Sequence, residues 1–365
     1  MSKSDLGNLL FKLFFSVREK TDRKLINPKN FLIVRQHNQF GDMLASVSLF
    51  RAIKETYPES KIALITSPDN YFAVEKNKFI DSQFCYDKSK ILSFSYIKSL
   101  KSFLRKKYDV VIVPSTVSLS FTSHFLGRLA RAETRICAAS LNGEQNQFSY
   151  LCDRRIDLNW KLNPSSNVSE FILEIVKPFG INTINYKSEI SFSDEDKKRA
   201  DEFINEEVKI EKDQKLIGIH TGAGKTPNRW KMEKFVNLSE RLVKDFNCKL
   251  YFTGSSSDKE QIDFLKNNLT TEKAFALNKK ITELAAIIAN SDLFITNDTG
   301  VMHVAGAVDV NQISLFGPTD PQNWAPAGKH KFYIRKAESI DDIDVDDVYD
   351  LAKNILEGRK WSIKT

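Results

Sequence analysis

The stretch Phe294-Ile-Thr-Asn-Asp-Thr-Gly-Val-Met-His-Val-Ala-Gly-Ala307 spans one complete pattern of strand, turn and helix. Its apolar and β-branched residues predict a buried strand that ends at Thr296. Asp298 and Gly300 predict a turn, and the small apolar residues after them predict a helix. A strand that leads directly into a helix is the repeating unit of a parallel α/β sheet, and the stretch therefore predicts an α/β fold.

The same pattern recurs along the chain from residue 31 onward. Strand-like runs occur at residues 31–35, 61–65, 109–113 and 135–139, and again at 215–220, 249–253, 274–277, 292–296 and 312–316. Amphipathic helical patterns separate them, for example at 43–57, 232–246 and 281–290. Two series of such units predict two doubly wound parallel sheets, each covered by helices on both faces.

The chain length agrees with two domains, because 365 residues exceed the roughly 250–300 that a single core usually holds. The join lies between Pro178 and Asp213, where a charged helix precedes the second series. We predict an N-terminal segment at residues 1–30, a first domain at 31–190, a second domain at 191–340 and a C-terminal segment at 341–365.

The first 30 residues predict a basic amphipathic helix. Leu6, Leu9, Leu10, Leu13, Phe14 and Val17 share one helical face, and Lys12, Arg18, Lys20, Arg23 and Lys24 surround or follow it. Such a helix can lie in the headgroup region of an anionic membrane. It can equally pack against the body of the protein or against a partner subunit, and the sequence leaves both interpretations open.

Composition narrows the class of protein. The net charge of +7 suits anionic partners, but lysine and arginine are spread along the chain and no nucleic-acid-binding module is recognisable. No apolar run is long enough to span a bilayer, and no signal cleavage site follows the N-terminal apolar residues. The four cysteines lack CxxC spacing, which favours free thiols in a reducing compartment, no structural zinc and a cytoplasmic location.

Residues 297–303 predict an anion-binding turn. The first N–H groups of the predicted helix lack intrahelical partners, and Gly300 lets a phosphate approach the backbone closely. Thr299 can add a hydroxyl donor, and His303 can add a ring N–H. The competing interpretation is that Asp298 only caps the helix, a position that aspartate favours.

Three neighbouring strands of the second series also end in polar loops, at residues 220–230, 254–258 and 317–321. Because ligands of open α/β sheets bind at the carboxyl ends of the strands, we expect these loops to converge on one site. Lys225 and Arg229 supply positive charge suited to a diphosphate. The chain lacks both GxxxxGK[ST] and an N-terminal GxGxxG, which argues against an ATPase or a common NAD dehydrogenase.

In the first series, the strand at 31–35 leads into a loop with Gly41-Asp42 and then a helix. A carboxylate at this edge can accept a proton from a sugar hydroxyl that attacks a donor. The competing interpretation is again helix capping. Arg35 and His37 lie close in sequence and are candidates for acceptor contacts.

In their order and spacing these motifs resemble glycosyltransferase family 9, the ADP-heptose:lipopolysaccharide heptosyltransferase family. The matching pieces span about residues 31–325 and are Gly41-Asp42, Tyr57-Pro58, the loop 222–230, Thr253-Gly254 and the block 297–321 with its Asp-Thr-Gly-x-x-His and Gly-Pro-Thr-Asp-Pro.

The resemblance implies a GT-B architecture, in which two Rossmann-like domains face each other across a cleft and the last helix, here 345–356, often crosses back to the first domain. It implies inverting transfer without a metal ion or other cofactor, and Asp42 as the general base. For the donor diphosphate it implies Asp298, Thr299, Gly300 and His303, and for the nucleoside an acidic residue at Asp258 or Glu260. Together with the loop residues, the predicted donor-binding set is Thr221, Gly222, Lys225, Arg229, Gly254, Asp258, Glu260, Asp298, Thr299, Gly300 and His303.

One position departs from the family pattern. Family members commonly carry a lysine two residues before the tryptophan that matches Trp230, and Asn228 stands there in this chain. Lys225 or Arg229 can replace that charge. The departure leaves the identity of the nucleotide-sugar open.

The sequence thus predicts a metal-independent glycosyltransferase that moves a sugar, with heptose from ADP-heptose favoured, onto a lipopolysaccharide core or related glycolipid. The glycolipid acceptor suggests a peripheral position at the inner face of the cytoplasmic membrane. Two alternatives remain: a GT-B-like protein that binds a nucleotide or glycan without catalysis, and an enzyme resembling UDP-sugar epimerases.

Overall fold

The computed structural model describes residues 11–36 and 40–358. The chain divides into two compact units, Met1–Tyr186 and Lys187–Thr365. This division falls inside the predicted join and four residues before the predicted boundary at residue 190.

The first unit is a mainly parallel sheet with helices between its strands. Its sheet order is β3-β2-β1-β4-β5, after which β7 pairs with β5 in parallel and the short β6 pairs with it antiparallel. The strands are β1 (Asn30–Arg35), β2 (Lys61–Thr66), β3 (Ser82–Cys85), β4 (Tyr108–Val113), β5 (Ala132–Leu141), β6 (Glu144–Gln145) and β7 (Arg154–Leu158). The α-helices are α1 (Phe40–Ala45), α2 (Val47–Thr56), α3 (Pro68–Val74), α4 (Phe94–Leu104), α5 (Phe121–Leu129) and α6 (Val168–Phe171).

The second unit is a fully parallel sheet with the order β10-β9-β8-β11-β12-β13. Its strands are β8 (Lys215–His220), β9 (Cys248–Gly254), β10 (Lys273–Leu277), β11 (Leu293–Asn297), β12 (Asn311–Leu315) and β13 (Lys331–Ile334). Its helices are α7 (Asp194–Glu202), which continues as a π-helix over Phe203–Val208, α8 (Met232–Asp245), α9 (Lys259–Asn268), α10 (Ile281–Ala289), α11 (Gly300–Gly306), α12 (Pro321–Trp324) and α13 (Val345–Leu356).

Both sheets have the doubly wound strand order 3-2-1-4-5 followed by a sixth strand, and the strand order reverses between the first and fourth strands. Ligands of such folds bind in the crevice at the carboxyl ends of these two strands, the topological switch point. In this chain one switch point lies between β1 and β4 and the other between β8 and β11.

Burial explains why the central strands form where the sequence predicts them. Residues 31–34 of β1 and 293–297 of β11 are fully buried, so that continuous apolar or β-branched runs are required there. The predicted helix at 43–57 is divided at Ser46, whose hydroxyl donates to the Asp42 carbonyl oxygen at 2.7 Å.

The C-terminal helix packs on a helix of the second unit. Residues 345–356, the candidate for a helix that crosses back to the first domain, form α13, which packs on α8. The Tyr349 hydroxyl donates to Asp245 at 2.7 Å, and Trp230 Nε1 donates to the Ile343 carbonyl just before the helix. Val348, Leu351 and Ala352 complete the core of that unit.

The described part of the N-terminal segment packs against the first unit. Residues 11–15 are helical, and the rings of Phe11 and Phe15 contact Phe125 at centroid distances of 5.4 and 5.3 Å. Farther along, Arg154 Nη2 lies 2.9 Å from each carboxylate oxygen of Asp22. Leu6, Leu9 and Leu10 of the predicted helical face lie outside the described residues.

Within the described ranges, no helix combines the length and apolar character needed to cross a bilayer. The cysteines Cys85, Cys137, Cys152 and Cys248 are free thiols, and all but Cys85 are buried.

Candidate functional site

The switch point of the first unit holds a buried ion pair. Arg35 is the last residue of β1 and Asp42 lies in α1, and Arg35 Nη2 is 3.3 Å from Asp42 Oδ2. Both residues are buried, with 2% and 8% of their surface exposed. Asp42 lies inside a helix that begins at Phe40, so its carboxylate does not act as the N-cap considered from the sequence.

Thr116, in the loop after β4, joins the two sides of this switch point. Its hydroxyl oxygen accepts from Arg35 Nη2 at 3.2 Å, and the hydroxyl donates to Asp42 Oδ2 at 3.4 Å. Trp160 in turn donates from Nε1 to the Thr116 carbonyl at 2.7 Å. Burial lowers the pKa of Arg35, and the Asp42 charge opposes that shift.

The switch point of the second unit is held together by Asn297, the fully buried last residue of β11. Its Nδ2 donates to the Thr221 carbonyl at 2.8 Å, and its Oδ1 accepts from the Trp230 backbone N–H at 3.3 Å. One side chain therefore fixes the loop after β8 and the start of the following segment.

Asp298 follows Asn297, and its carboxylate accepts a hydrogen bond from an uncharged amide. Asn228 Nδ2 donates to Asp298 Oδ2 at 2.9 Å. Burial raises the pKa of Asp298, and the Thr319 hydroxyl together with the charges of His303 and Lys225 opposes that rise. Thr299, not Asp298, is the N-cap residue of α11, so the capping role considered for Asp298 is not what the structure shows.

Gly222 leaves room for the Asp258 side chain. A Cβ atom at Gly222 would lie 2.2 Å from Asp258 Oδ1 and 3.1 Å from His220 Nε2. His220 is buried and its Nδ1 lies 2.9 Å from Thr253 Oγ1, and burial lowers the pKa of this imidazole. The loops after β8 and β9 therefore meet at Gly222, as the sequence predicted.

The remaining predicted donor residues lie at this edge or beside it. Lys225 is exposed, and Arg229 is half-buried with its Nε donating to the Ala223 carbonyl at 2.8 Å. Glu260 is exposed in the first turn of α9, and a Cβ atom at Gly254, the last residue of β9, would lie 3.1 Å from Ile262. Thr299, Gly300 and His303 are at least partly exposed at the start of α11.

Sequence reasoning gave no individual role to four residues of the two switch points, Thr116, Trp160, Asn297 and Thr319, although Asn297 and Thr319 lie in loops that it assigned to the site. Thr116 follows a correctly predicted strand, Asn297 ends another, and Thr319 lies in the Gly-Pro-Thr-Asp-Pro motif. The positions of these three residues in the sequence could therefore have identified them. Trp160 follows β7, a strand that was not predicted. The acceptor candidate His37 lies outside the described residues.

Each switch point also contains a buried polar atom without a hydrogen-bond partner among the described residues. These atoms are Arg35 Nε and Thr221 Oγ1. Leaving such a group unpaired typically costs about 1–3 kcal/mol, so a ligand that pairs with it gains affinity. In the described part of the chain, no group of three or more His, Cys, Asp or Glu side chains is arranged to hold a metal ion.

Comparison with known proteins gives consistent matches. The model of glycosyltransferase family 9 (heptosyltransferase) matches residues 97–348. A curated relative, lipooligosaccharide heptosyltransferase 2 of Haemophilus influenzae, is 24% identical over an alignment of 314 positions that covers 82% of this chain and 86% of the relative.

Solved structures show the same fold. A family 9 glycosyltransferase from Veillonella parvula superposes with a TM-score of 0.78 at 19% identity, over 91% of this chain and 100% of that one. The ADP-heptose lipopolysaccharide heptosyltransferase II of Escherichia coli superposes with a TM-score of 0.71 at 20% identity, over 90% and 99% of the two chains. With two parallel α/β units and a family model that covers most of its length, the chain belongs to glycosyltransferase family 9 and is a glycosyltransferase with the GT-B fold.

Proposed function

We propose that this protein transfers a sugar from a nucleotide-sugar to a lipopolysaccharide core or related glycolipid, with inversion and without a metal ion. Heptose from ADP-heptose is the favoured donor. The names of the relatives support this choice, because one is a lipooligosaccharide heptosyltransferase and another an ADP-heptose heptosyltransferase. A membrane-borne acceptor would place the protein at the inner face of the cytoplasmic membrane.

The observation that carries the proposal is the buried carboxylate of Asp42 at the β1/β4 switch point. As the acceptor hydroxyl attacks the anomeric carbon, Asp42 accepts its proton while the bond from that carbon to the phosphate oxygen breaks. The nucleoside diphosphate leaves with the bonding electron pair. Arg35 and Thr116 orient the carboxylate through their contacts with Oδ2.

The β8/β11 switch point is the proposed donor site. Lys225 supplies positive charge beside Asp298, His303 lies in the first turn of α11, and the unpaired Thr221 hydroxyl is available to an oxygen of the donor. Positive groups and backbone N–H donors placed where a leaving phosphate gains charge serve the purpose that a metal ion serves in other transferases.

The proposal is tested by measuring release of nucleoside diphosphate. ADP-heptose and a panel of UDP-sugars are each incubated with and without a lipopolysaccharide core acceptor, in the presence of EDTA. Release that requires both ADP-heptose and the acceptor is the expected result. Release that disappears on chelation would contradict the metal-independent mechanism.

Asp42→Asn tests the role of the base. Because general base catalysis contributes about 10²–10⁴-fold, kcat should fall by at least about 100-fold while donor binding is retained. Asp69→Asn is the matched control, since Asp69 is exposed in the helix after β2 at the same edge of the sheet. Full transfer by Asp42→Asn would rule out the assignment.

The two alternatives give different results in the same assay. A protein that binds without catalysis would retain ADP-heptose and release no ADP, and Asn228 supports this alternative because it offers an amide where the family has a lysine. An epimerase-like enzyme would convert a UDP-sugar in the absence of any acceptor.

A further inference from the structure

Apolar side chains exposed to solvent are distributed very unevenly between the two units. Of the 14 large hydrophobic residues that are exposed in the described chain, 13 belong to the first unit and only Tyr333 to the second. Soluble proteins normally scatter such residues singly. Their concentration on one of two similarly folded units indicates that this unit has a surface covered in the working protein.

The net charge also differs between the two units, and the first unit is the basic one. The first unit, residues 1–186, contains 27 Lys and Arg against 17 Asp and Glu, a net charge of +10. The second unit, residues 187–365, contains 27 against 30, a net charge of −3. A surface that is both apolar and basic is complementary to an anionic lipid bilayer.

Four of these 13 residues lie in the segment from residue 88 to residue 101, which we name the lysine-rich tip. Every residue from 88 to 95 is exposed. Leu92 is 95% exposed and Phe94 is 84% exposed, and Ile91 and Ile97 lie beside them. Residues 88–108 contain seven Lys or Arg and no Asp or Glu.

The tip is held rigidly, so its exposure is imposed by the fold. Tyr96 donates its hydroxyl to the Cys85 carbonyl at 3.0 Å and accepts from the Asp87 backbone N–H at 2.6 Å. Leu100 and Phe103 bury the inner face of α4 in the core. The outer face of α4 carries two apolar residues followed by two lysines, at the helical spacing i, i+3, i+4, i+7: Phe94, Ile97, Lys98 and Lys101. The apolar side chains therefore lie at the N-terminal end of this face, and the lysines lie one turn further along the helix.

The tip also lies at the edge of the sheet that carries the proposed acceptor site. It follows the carboxyl end of β3, and β3 is two strands from β1, about 10 Å at the usual strand spacing. Exposed Phe72, Val117 and Phe121 follow the carboxyl ends of β2 and β4 at the same edge. Arg35 and Asp42 lie there too.

We propose that the lysine-rich tip and the apolar residues around it dock the first unit on an anionic membrane surface, with Leu92 and Phe94 inserted among the lipids and the lysines at the headgroups. Docking on this edge presents lipid-borne acceptors to Asp42. That consequence rests on the proposed function, whereas the docking itself does not require it.

Co-sedimentation with vesicles tests the docking. Full-length protein is mixed with vesicles of phosphatidylcholine alone or with 30% phosphatidylglycerol, at low and high salt. We expect binding to the anionic vesicles that weakens with salt. The double variant Leu92→Ser/Phe94→Ser should bind about tenfold more weakly or worse, because two large side chains no longer leave water.

The control is Ile26→Ser/Ile184→Ser, which removes two side chains of the same unit that are 94% and 93% exposed. It should bind like the unchanged protein. Equal binding by both double variants, or equal binding to neutral and anionic vesicles, would overturn the proposal. If Leu92→Ser/Phe94→Ser instead changes the sedimentation of the protein alone, the tip is an interface between copies of the chain.

Transfer assays separate this proposal from the proposed function. With a water-soluble core oligosaccharide as acceptor, the Leu92→Ser/Phe94→Ser variant should match the unchanged protein, and with glycolipid in vesicles its rate should fall. Vesicle binding without any transfer would support docking and reject the proposed function.

Discussion

The two switch points share one strand order and differ in what pairs with the carboxylate at each of them, the buried Asp42 and the half-buried Asp298. Asp42 in the first unit lies 3.3 Å from the Arg35 guanidinium, whereas Asp298 in the second receives a hydrogen bond of 2.9 Å from the Asn228 amide. A guanidinium supplies a full positive charge, and an amide supplies only a dipole. The charge of the first carboxylate is therefore balanced within the protein, and that of the second is balanced less well.

This difference shows that the fold determines where a site lies and the side chains determine its chemistry. The first switch point is organised before any ligand arrives, through contacts among Arg35, Thr116 and Asp42. In the second, Lys225 is exposed and burial raises the pKa of Asp298, so its electrostatics are open to change by a bound donor. Substitutions at each carboxylate and its partner test the contrast.

Arg35→Met should have the largest effect on stability. It leaves the buried Asp42 carboxylate without its counter-charge, and breaking a buried ion pair typically costs about 3–5 kcal/mol. The free energy of unfolding, measured by urea denaturation of the ligand-free protein, should fall by about that amount.

The control for this prediction is Lys215→Met, which breaks the pair between Lys215 Nζ and Asp292. Those side chains are 46% and 35% exposed, and exposed pairs contribute at most about 1 kcal/mol. If the free energy of unfolding falls by similar amounts in the two variants, burial does not strengthen the contribution of the Arg35–Asp42 pair.

The central architecture followed from the sequence because the strands that form it are buried on both faces. β1, β4, β8 and β11 need continuous apolar or β-branched runs, and these runs were visible. The strands β3, β7 and β13 were missed because they are short or polar, as in Arg154-Arg155-Ile-Asp-Leu158, and are less completely buried. Their pairing depends on neighbours that lie elsewhere in the sequence.

The sequence also predicted the carboxylates of the two switch points, but not the residues that pair with them. Asp42 and Asp298 were identified because polar residues after strands of a parallel sheet meet at one edge. Their hydrogen bonds to Thr116 and Asn228 were not predicted, because Thr116 is 74 residues from Asp42 and Asn228 is 70 from Asp298. Arg35 lies close to Asp42 in sequence, but it was assigned to the acceptor and not to an ion pair with Asp42. The packing of α13 on α8 likewise depends on tertiary contacts.

Asn228→Lys should sharpen the contrast by giving the second switch point a counter-charge. The ammonium group would pair with Asp298 and lie near the proposed diphosphate, so the Kd of ADP should fall about tenfold, equivalent to about 1.4 kcal/mol. Isothermal titration calorimetry with ADP at moderate salt measures this change.

Asn237→Lys provides the control, because Asn237 is exposed on α8 and the substitution adds the same charge away from the loops. An equal gain in both variants would indicate a general effect of net charge. A weaker affinity for ADP in Asn228→Lys would mean that the Asn228 amide itself is needed to position Asp298.

Asp298→Asn should change the free energy of unfolding least, and it should raise this free energy where Asp42→Asn lowers it. Burial raises the pKa of Asp298 above its ordinary value of 3.8, so the folded protein holds this proton more tightly than the unfolded chain does. The ionised group therefore lowers stability as the pH rises through the raised pKa, and below about pH 4 that contribution disappears.

Replacing Asp298 with asparagine removes the charge and keeps an oxygen that can accept from Asn228. The free energy of unfolding should rise at pH 7 by less than about 1 kcal/mol, and the gain should vanish as the pH falls to 4. Asp42→Asn should instead lower stability at pH 7, because it leaves the Arg35 charge buried and unpaired. If Asp298→Asn also destabilises the protein at pH 7, Lys225 and His303 compensate Asp298 as fully as Arg35 compensates Asp42, and the two switch points are electrostatically equivalent.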